Sequence, residues 1–190
     1  MAIATLGVAL GTVLVLTQAA WTGGQPREKT IGKETVIPWT TLDPGEMTQR
    51  NGITHIRGMV AELIELGADL SGNPIPALTG RAVVSMNIDM DATGGVVMDA
   101  TAVKEVGTWT GDLTLGDSQN PPVFHPSGGG VWVGTVHSKG TLPPGNSTAR
   151  GTLSGILGKV EGMVYRLEGE APTFGLAVYD VQLLSPRGKK

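Results

Sequence analysis

The stretch Gly80-Arg81-Ala82-Val83-Val84-Ser85-Met86-Asn87-Ile88-Asp89-Met90 alternates with a period of two. Its even positions are small or apolar, while the odd ones carry Arg81, Ser85, Asn87 and Asp89 around a single Val83. Successive side chains on a strand point to opposite faces, so the stretch reads as a strand with one face in a core. The pattern recurs along the chain. Val96, Met98, Ala100 and Ala102 share a face, as do Trp109, Gly111, Leu113 and Leu115. Ala149, Gly151, Leu153 and Gly155 form another set, followed by Met163, Tyr165 and Leu167, then Ala177, Tyr179, Val181 and Leu183. Residues 53–66 and 131–139 alternate less cleanly but are rich in β-branched side chains. Eight strands are therefore expected between residues 52 and 184.

The gaps between them are short and turn-rich, as at Asp91-Ala-Thr-Gly-Gly95 and Pro143-Pro-Gly-Asn146. The exception is a long loop expected over residues 116–130. Consecutive antiparallel strands with one polar face each close most naturally into a barrel, which removes exposed edges. The expected fold is thus all-β, a single eight-stranded antiparallel up-and-down β-barrel, with a two-sheet β-sandwich as the alternative. At eight strands the interior is either filled by side chains or holds one small ligand. An outer-membrane barrel is disfavoured, because the outward faces carry Thr, Asp, Arg and Asn rather than a lipid-facing apolar band.

Composition narrows the chemistry. The 190 residues include 29 glycines and 12 prolines but no cysteine. Disulfides, thiolate metal sites and a cysteine nucleophile are excluded. A net charge of −3 lacks the basic field of a nucleic-acid binder. Residues 1–22 hold no charged side chain, are largely apolar, and pass through Thr17-Gln-Ala-Ala20 before a polar stretch. They read as a secretory signal, with a retained membrane anchor and a buried helix as the alternatives. The expected location is extracytoplasmic, secreted or periplasmic. Residues 23–51 read as a linker with one short strand, Glu34-Thr-Val-Ile-Pro-Trp39, broken by the turn Leu42-Asp-Pro-Gly45; residues 52–188 form the barrel domain.

Several motifs fall in a familiar order: His55-Ile-Arg-Gly58, Gly107-Thr-Trp-Thr-Gly111, Lys139-Gly140, Ala149-Arg-Gly-Thr-Leu-Ser-Gly155 and Leu183-Leu-Ser-Pro-Arg-Gly188. The chain resembles exported bacterial proteins of unassigned function with an allene-oxide-cyclase-like or dirigent-like β-barrel, over residues 42 to 188. The resemblance implies a compact barrel, often homo-oligomeric. Some relatives bind reactive apolar substrates in a shaped cavity and cyclise or couple them without a cofactor. No catalytic residue of the family is carried onto a position of this chain.

The residues themselves offer few candidates. His55, His125 and His137 share no metal-ligand spacing, and the expected metal and cofactor complement is none. Asn87-Ile-Asp-Met-Asp-Ala-Thr-Gly94 begins like a calcium loop but lacks its bidentate glutamate, and a strand end plus polar hairpin accounts for it equally. No nucleophile elbow, phosphate loop or dinucleotide fingerprint occurs. Glu62 is the one charge on the even face of Ile56, Gly58, Val60, Ile64 and Leu66. Buried, it would titrate high and serve as a general acid or base; a bulge that turns it outward is the competing and stronger reading. His125, between Phe124 and Pro126, is the histidine best placed to meet a ligand. Met86, Met98, Trp109 and Tyr165 share expected inward faces and form either core or an apolar ligand pocket. The leading expectation is a module binding a small apolar ligand. A cofactor-free cyclase or isomerase using Glu62 or His125, and a structural or surface-interaction protein with a solid barrel, are the alternatives.

Overall fold

The computed structural model describes residues 28–113, 120–141, 146–157, 160–172 and 177–185. Nine strands run β1 Glu28–Asp43, β2 Glu46–Arg50, β3 Ile53–Ala68, β4 Gly80–Asp91, β5 Gly95–Thr110, β6 Val123–Thr141, β7 Asn146–Leu157, β8 Val160–Pro172 and β9 Ala177–Ser185. Each pairs antiparallel with its neighbours in the order β1-β9-β8-β7-β6-β5-β4-β3-β2, and β1 also pairs with β3. That last pairing closes β1 and β3 to β9 into an eight-stranded up-and-down barrel. Among the described strands, β2 stands outside the closure, as a hairpin partner of the first half of β3.

Closure depends on a bulge. The β3 register shifts between Ile56 and Met59, where Gly58 adopts a φ of 69°. A left-handed residue of this kind costs glycine nothing, and an unpaired residue reverses the side-chain parity beyond it. Before the bulge β3 pairs with β2; beyond it, residues 60–68 pair with β1.

The inner face matches the alternation in β4, β5, β7 and β9. Ala82, Val84, Ala100, Ala102, Val106, Ala149, Leu153, Val181 and Leu183 are buried together with Trp132 and Leu78. Glycine makes the barrel narrow where strands cross closely: a Cβ on Gly155 would run into the Val131 carbonyl and lie 3.0 Å from Trp132 Cα. One end is stoppered by the β3–β4 connection. A single 3-10 turn, Pro76–Leu78, inserts the fully buried Leu78. Hydrogen bonds from Ile75 N to Gly67 O (2.8 Å) and from Gly107 N to Thr79 O (3.0 Å) hold it there.

Two expectations are corrected. Residues 28–43 are not a linker with one short strand but a 16-residue wall of the barrel. Conversely, residues 109–113 are not a strand of their own: Trp109 and Thr110 end β5, and β6 already begins at Val123 within the expected loop. The strand count of eight stands, with β1 taking the vacated place. Residues 1–22, read as a signal or anchor, lie outside the described residues.

Candidate functional site

The inner parity of β5 continues past Ala102 to Lys104, whose side chain is 1% exposed. A buried ammonium needs partners for all three of its N–H groups. Nζ donates to Glu34 Oε1 on β1 and to the Leu78 carbonyl at 2.6 Å, and it lies 2.8 Å from Glu65 Oε2 on β3. Glu34 is 1% exposed and Glu65 is 8% exposed. The register brings them together: Glu34 faces Gly67 and Tyr179, Glu65 faces Val36 and Gly80, and Lys104 faces Ala82 and Trp132. Glycine at 67 and 80 answers to close packing: a Cβ there would strike Leu78 Cβ and the Glu105 carbonyl respectively.

Two carboxylates and one ammonium in a dry site leave an excess negative charge. Burial pushes the Glu65 carboxyl up to about 7, against the pull of Lys104 and with the help of Glu34. Burial alone would lower Lys104, but the attraction of Glu34 and Glu65 outweighs it and holds the ammonium above its usual range. Tyr179 is raised by burial and by the same two carboxylates. The cluster therefore carries a proton that is exchanged near neutrality within a water-excluding shell.

The candidate residues from sequence are scattered. Glu62 lies beyond the Gly58 bulge, half-buried on the outer face opposite Val83 and Thr40. His125 is exposed on β6, with Nε2 2.9 Å from Thr110 Oγ1. Met86 and Met98 are half-buried on the inner face, packed against the core. Trp109 is not with them. A register shift between Glu105 and Gly107 turns it aside, so its Nε1 donates to Gly80 O at 2.8 Å and its ring meets Phe124 at 5.0 Å, under Arg81. Tyr165 occupies β8 opposite Leu153 and Leu183, and its side chain lies outside the described residues. In the calcium-like string, Asp89 bonds His55 at 2.7 Å, and Asp91 accepts from Thr93 and Gly95 to close the β4–β5 turn.

The residues missed by sequence reasoning are Glu34, Glu65 and Lys104. Lys104 was within reach, because it continues the even face of Val96, Met98, Ala100 and Ala102 by one step. Glu65 becomes inward only through the bulge, and Glu34 only through the closure of β1.

A second feature lies on the outer face of β4 to β9, an open polar trough of about 870 Å³. Its floor is a continuous cross-strand row: Asn87, Asp99, His137, Arg150, Glu168 and Asp180, each opposite the next. Asp99 bonds His137 at 2.7 Å, and Arg150 pairs with Glu168 at 3.1 Å. Beside it runs a hydroxyl row of Ser85, Thr101, Thr135 and Thr152. Both charge signs, hydroxyls and amides line this surface, and among the described residues no Phe, Tyr or Trp does.

Fold and sites together define a closed antiparallel barrel with a packed, ion-paired interior and a polar outer trough. No family model, curated protein or solved structure matches this chain.

Proposed function

We infer that this barrel is an interaction protein with a solid interior, which recognises an extended polar partner along its outer trough. The observation that carries the reading is the placement of open volume. About 870 Å³ lies outside, against polar residues, while the inner axis is occupied by Trp132, Leu78 and the Lys104 cluster. An apolar ligand gains little from a polar groove, and at the stoppered end the axis is already filled by Leu78 and the ion cluster. The lining of the trough comes from six neighbouring strands, β4 to β9. The floor carries both signs, with Arg150 among Asp99, Glu168 and Asp180, which favours a partner that carries both.

Kinship with allene-oxide-cyclase-like or dirigent-like barrels belongs to the same proposal, supported by the quoted glycine motifs and the eight-strand meander. So does export, suggested by residues 1–22. The cyclase alternative has less support, since Glu62 faces outward and His125 is engaged with Thr110 on the surface.

Amide shift mapping on the labelled full chain tests the reading. A mixed-charge extended peptide should perturb Thr101, Thr135, Arg150 and Thr152, and the apolar probe N-phenyl-1-naphthylamine should not bind saturably. Saturable probe uptake with shifts centred on Met86, Met98 and Ala149 would overturn it.

A second reading, pairing with copies of itself, is favoured by one observation. Val83, Val103 and Val133 are direct cross-strand partners on the outer face and are 36%, 46% and 46% exposed. A contiguous apolar stripe in a polar surface marks a contact site. Sedimentation of the wild type against Val103→Lys tests it: a dimer that dissociates in the variant supports self-pairing, and a monomeric wild type removes it.

A further inference from the structure

We propose that Lys104 and Glu34 join covalently, the Lys104 Nζ being acylated by the Glu34 side chain to form an intramolecular amide that staples β5 to β1, with Glu65 as proton carrier. The reacting groups are already in contact: Nζ is hydrogen-bonded to Glu34 Oε1, and Glu65 Oε2 lies 2.8 Å from the same nitrogen. All three groups are buried, with Lys104 and Glu34 each 1% exposed. The Leu78 carbonyl accepts a second hydrogen bond at 2.6 Å, which orients the nitrogen. Holding nucleophile and electrophile at contact in one geometry replaces a bimolecular encounter with an intramolecular one, worth an effective concentration of about 10⁵ M or more.

The step balances without an oxidant or an external reagent. A proton leaves Nζ for the carboxylates, which gives a neutral amine and a neutral Glu34 carboxyl group. The Nζ lone pair attacks Glu34 Cδ, forming the C–N bond. Glu65 takes the second proton from nitrogen and returns it to the departing hydroxyl, so the C–O bond breaks and water leaves. The ammonium and the carboxylate become one amide and one water, and Glu65 is regenerated. A carboxyl group titrating at about 7 is well matched to both halves of that transfer, since proton carriers work best near the operating pH. Exclusion of water favours the product: a buried ion pair becomes a neutral amide, and the expelled water has no place beside Leu78 and Trp132. The reaction has to occur only once in each molecule, so a small population of the neutral pair suffices. A chain without cysteine cannot form a disulfide, and this bond would tie residues 70 positions apart.

Intact mass and peptide mapping of the full chain decide it. The expected result is a mass lower by one water, about 18 Da, and a branched peptide joining Lys104 to Glu34. Glu65→Gln keeps the shape and removes the proton carrier, so the bond should form at least about a hundredfold more slowly while the strand spectrum in circular dichroism persists. Lys104→Arg should abolish it. Natively folded wild type that keeps its full mass after prolonged incubation, with trypsin cutting after Lys104, would overturn the proposal. A branch mapped to Glu65 would also overturn it, because the roles of the two carboxylates would be reversed.

Discussion

Lys104 and Trp132 stand directly opposite one another on the inner side of the β5–β6 ladder, and both are fully buried. Side chains at directly opposed antiparallel positions have Cβ atoms about 5 Å apart. The indole therefore forms one wall of the ion cluster, and the cluster's dryness depends on it. Trp132→Ala should destabilise the protein by about 3–5 kcal/mol, through lost burial and the cavity left behind. Equilibrium urea unfolding, with the slope compared between variants, measures it.

Removing one charge of the cluster should cost more than removing them all. Lys104→Met leaves two buried carboxylates facing each other, and a broken buried pair typically costs about 3–5 kcal/mol. The triple replacement Glu34→Leu, Glu65→Leu and Lys104→Met should recover most of that loss, because well-packed apolar groups often substitute for buried ions without penalty. Denaturation midpoints of the two variants give the comparison. A triple variant less stable than the single one would contradict it.

Stability should fall as pH rises through neutrality. Glu65 titrates at about 7 in the folded chain against an ordinary value of 4.5, so between these values the folded state binds more protons than the unfolded one. The contribution is complete below about 4.5 and is lost as pH passes 7, with a slope of up to about 1.4 kcal/mol per pH unit inside the window. Glu65→Gln should flatten that slope. Unfolding free energies measured from pH 5 to pH 8 test both statements. Burial raises the group in either covalent state of Lys104, so the sign is the same with the staple formed.

Gly155→Ala should be among the most damaging single-methyl additions. The new Cβ would strike the Val131 carbonyl and crowd Trp132 Cα at 3.0 Å, so β6 would have to move away from β7. Overpacking of a rigid contact costs about 1–3 kcal/mol, and more where backbone must shift. The thermal midpoint of the variant against wild type checks it.

Trough substitutions should leave folding nearly untouched. Arg150 and Glu168 are 79% and 71% exposed, and a solvated ion pair of this kind is worth about 0–1 kcal/mol. Arg150→Ala should therefore change stability by no more than about 0.5 kcal/mol, which makes it a clean probe of partner binding. Parallel urea curves of variant and wild type measure that change.

Much of the barrel was legible because alternation is a local property. Ala82, Val84, Ala100, Ala102, Leu153, Val181 and Leu183 are inward wherever their strands pair, since a strand's two faces are fixed by its own backbone. β1 was hidden because its inner positions are Gly32, Glu34 and Val36, a glycine and an acid where a hydrophobic pattern was sought. Trp109 ends β5 beyond the register shift after Glu105, so the alternation of Val96 to Ala102 does not by itself fix its face.

By itself the sequence determined an all-β chain, seven of the eight walls, the small inward face of most strands, and the exclusion of cysteine chemistry. It also held the odd and even positions of Glu65 and Lys104. Only the tertiary structure decided that the three charges meet. Parity assigns a side chain to a face within one strand. Whether Glu34, Glu65 and Lys104 converge depends on the Gly58 bulge, on the β1–β3 closure and on the stopper at Leu78, which are relations between segments far apart in the chain. The same holds for the trough. Each strand carries one polar residue outward, and only the register across six strands sets Asn87, Asp99, His137, Arg150, Glu168 and Asp180 in a single row.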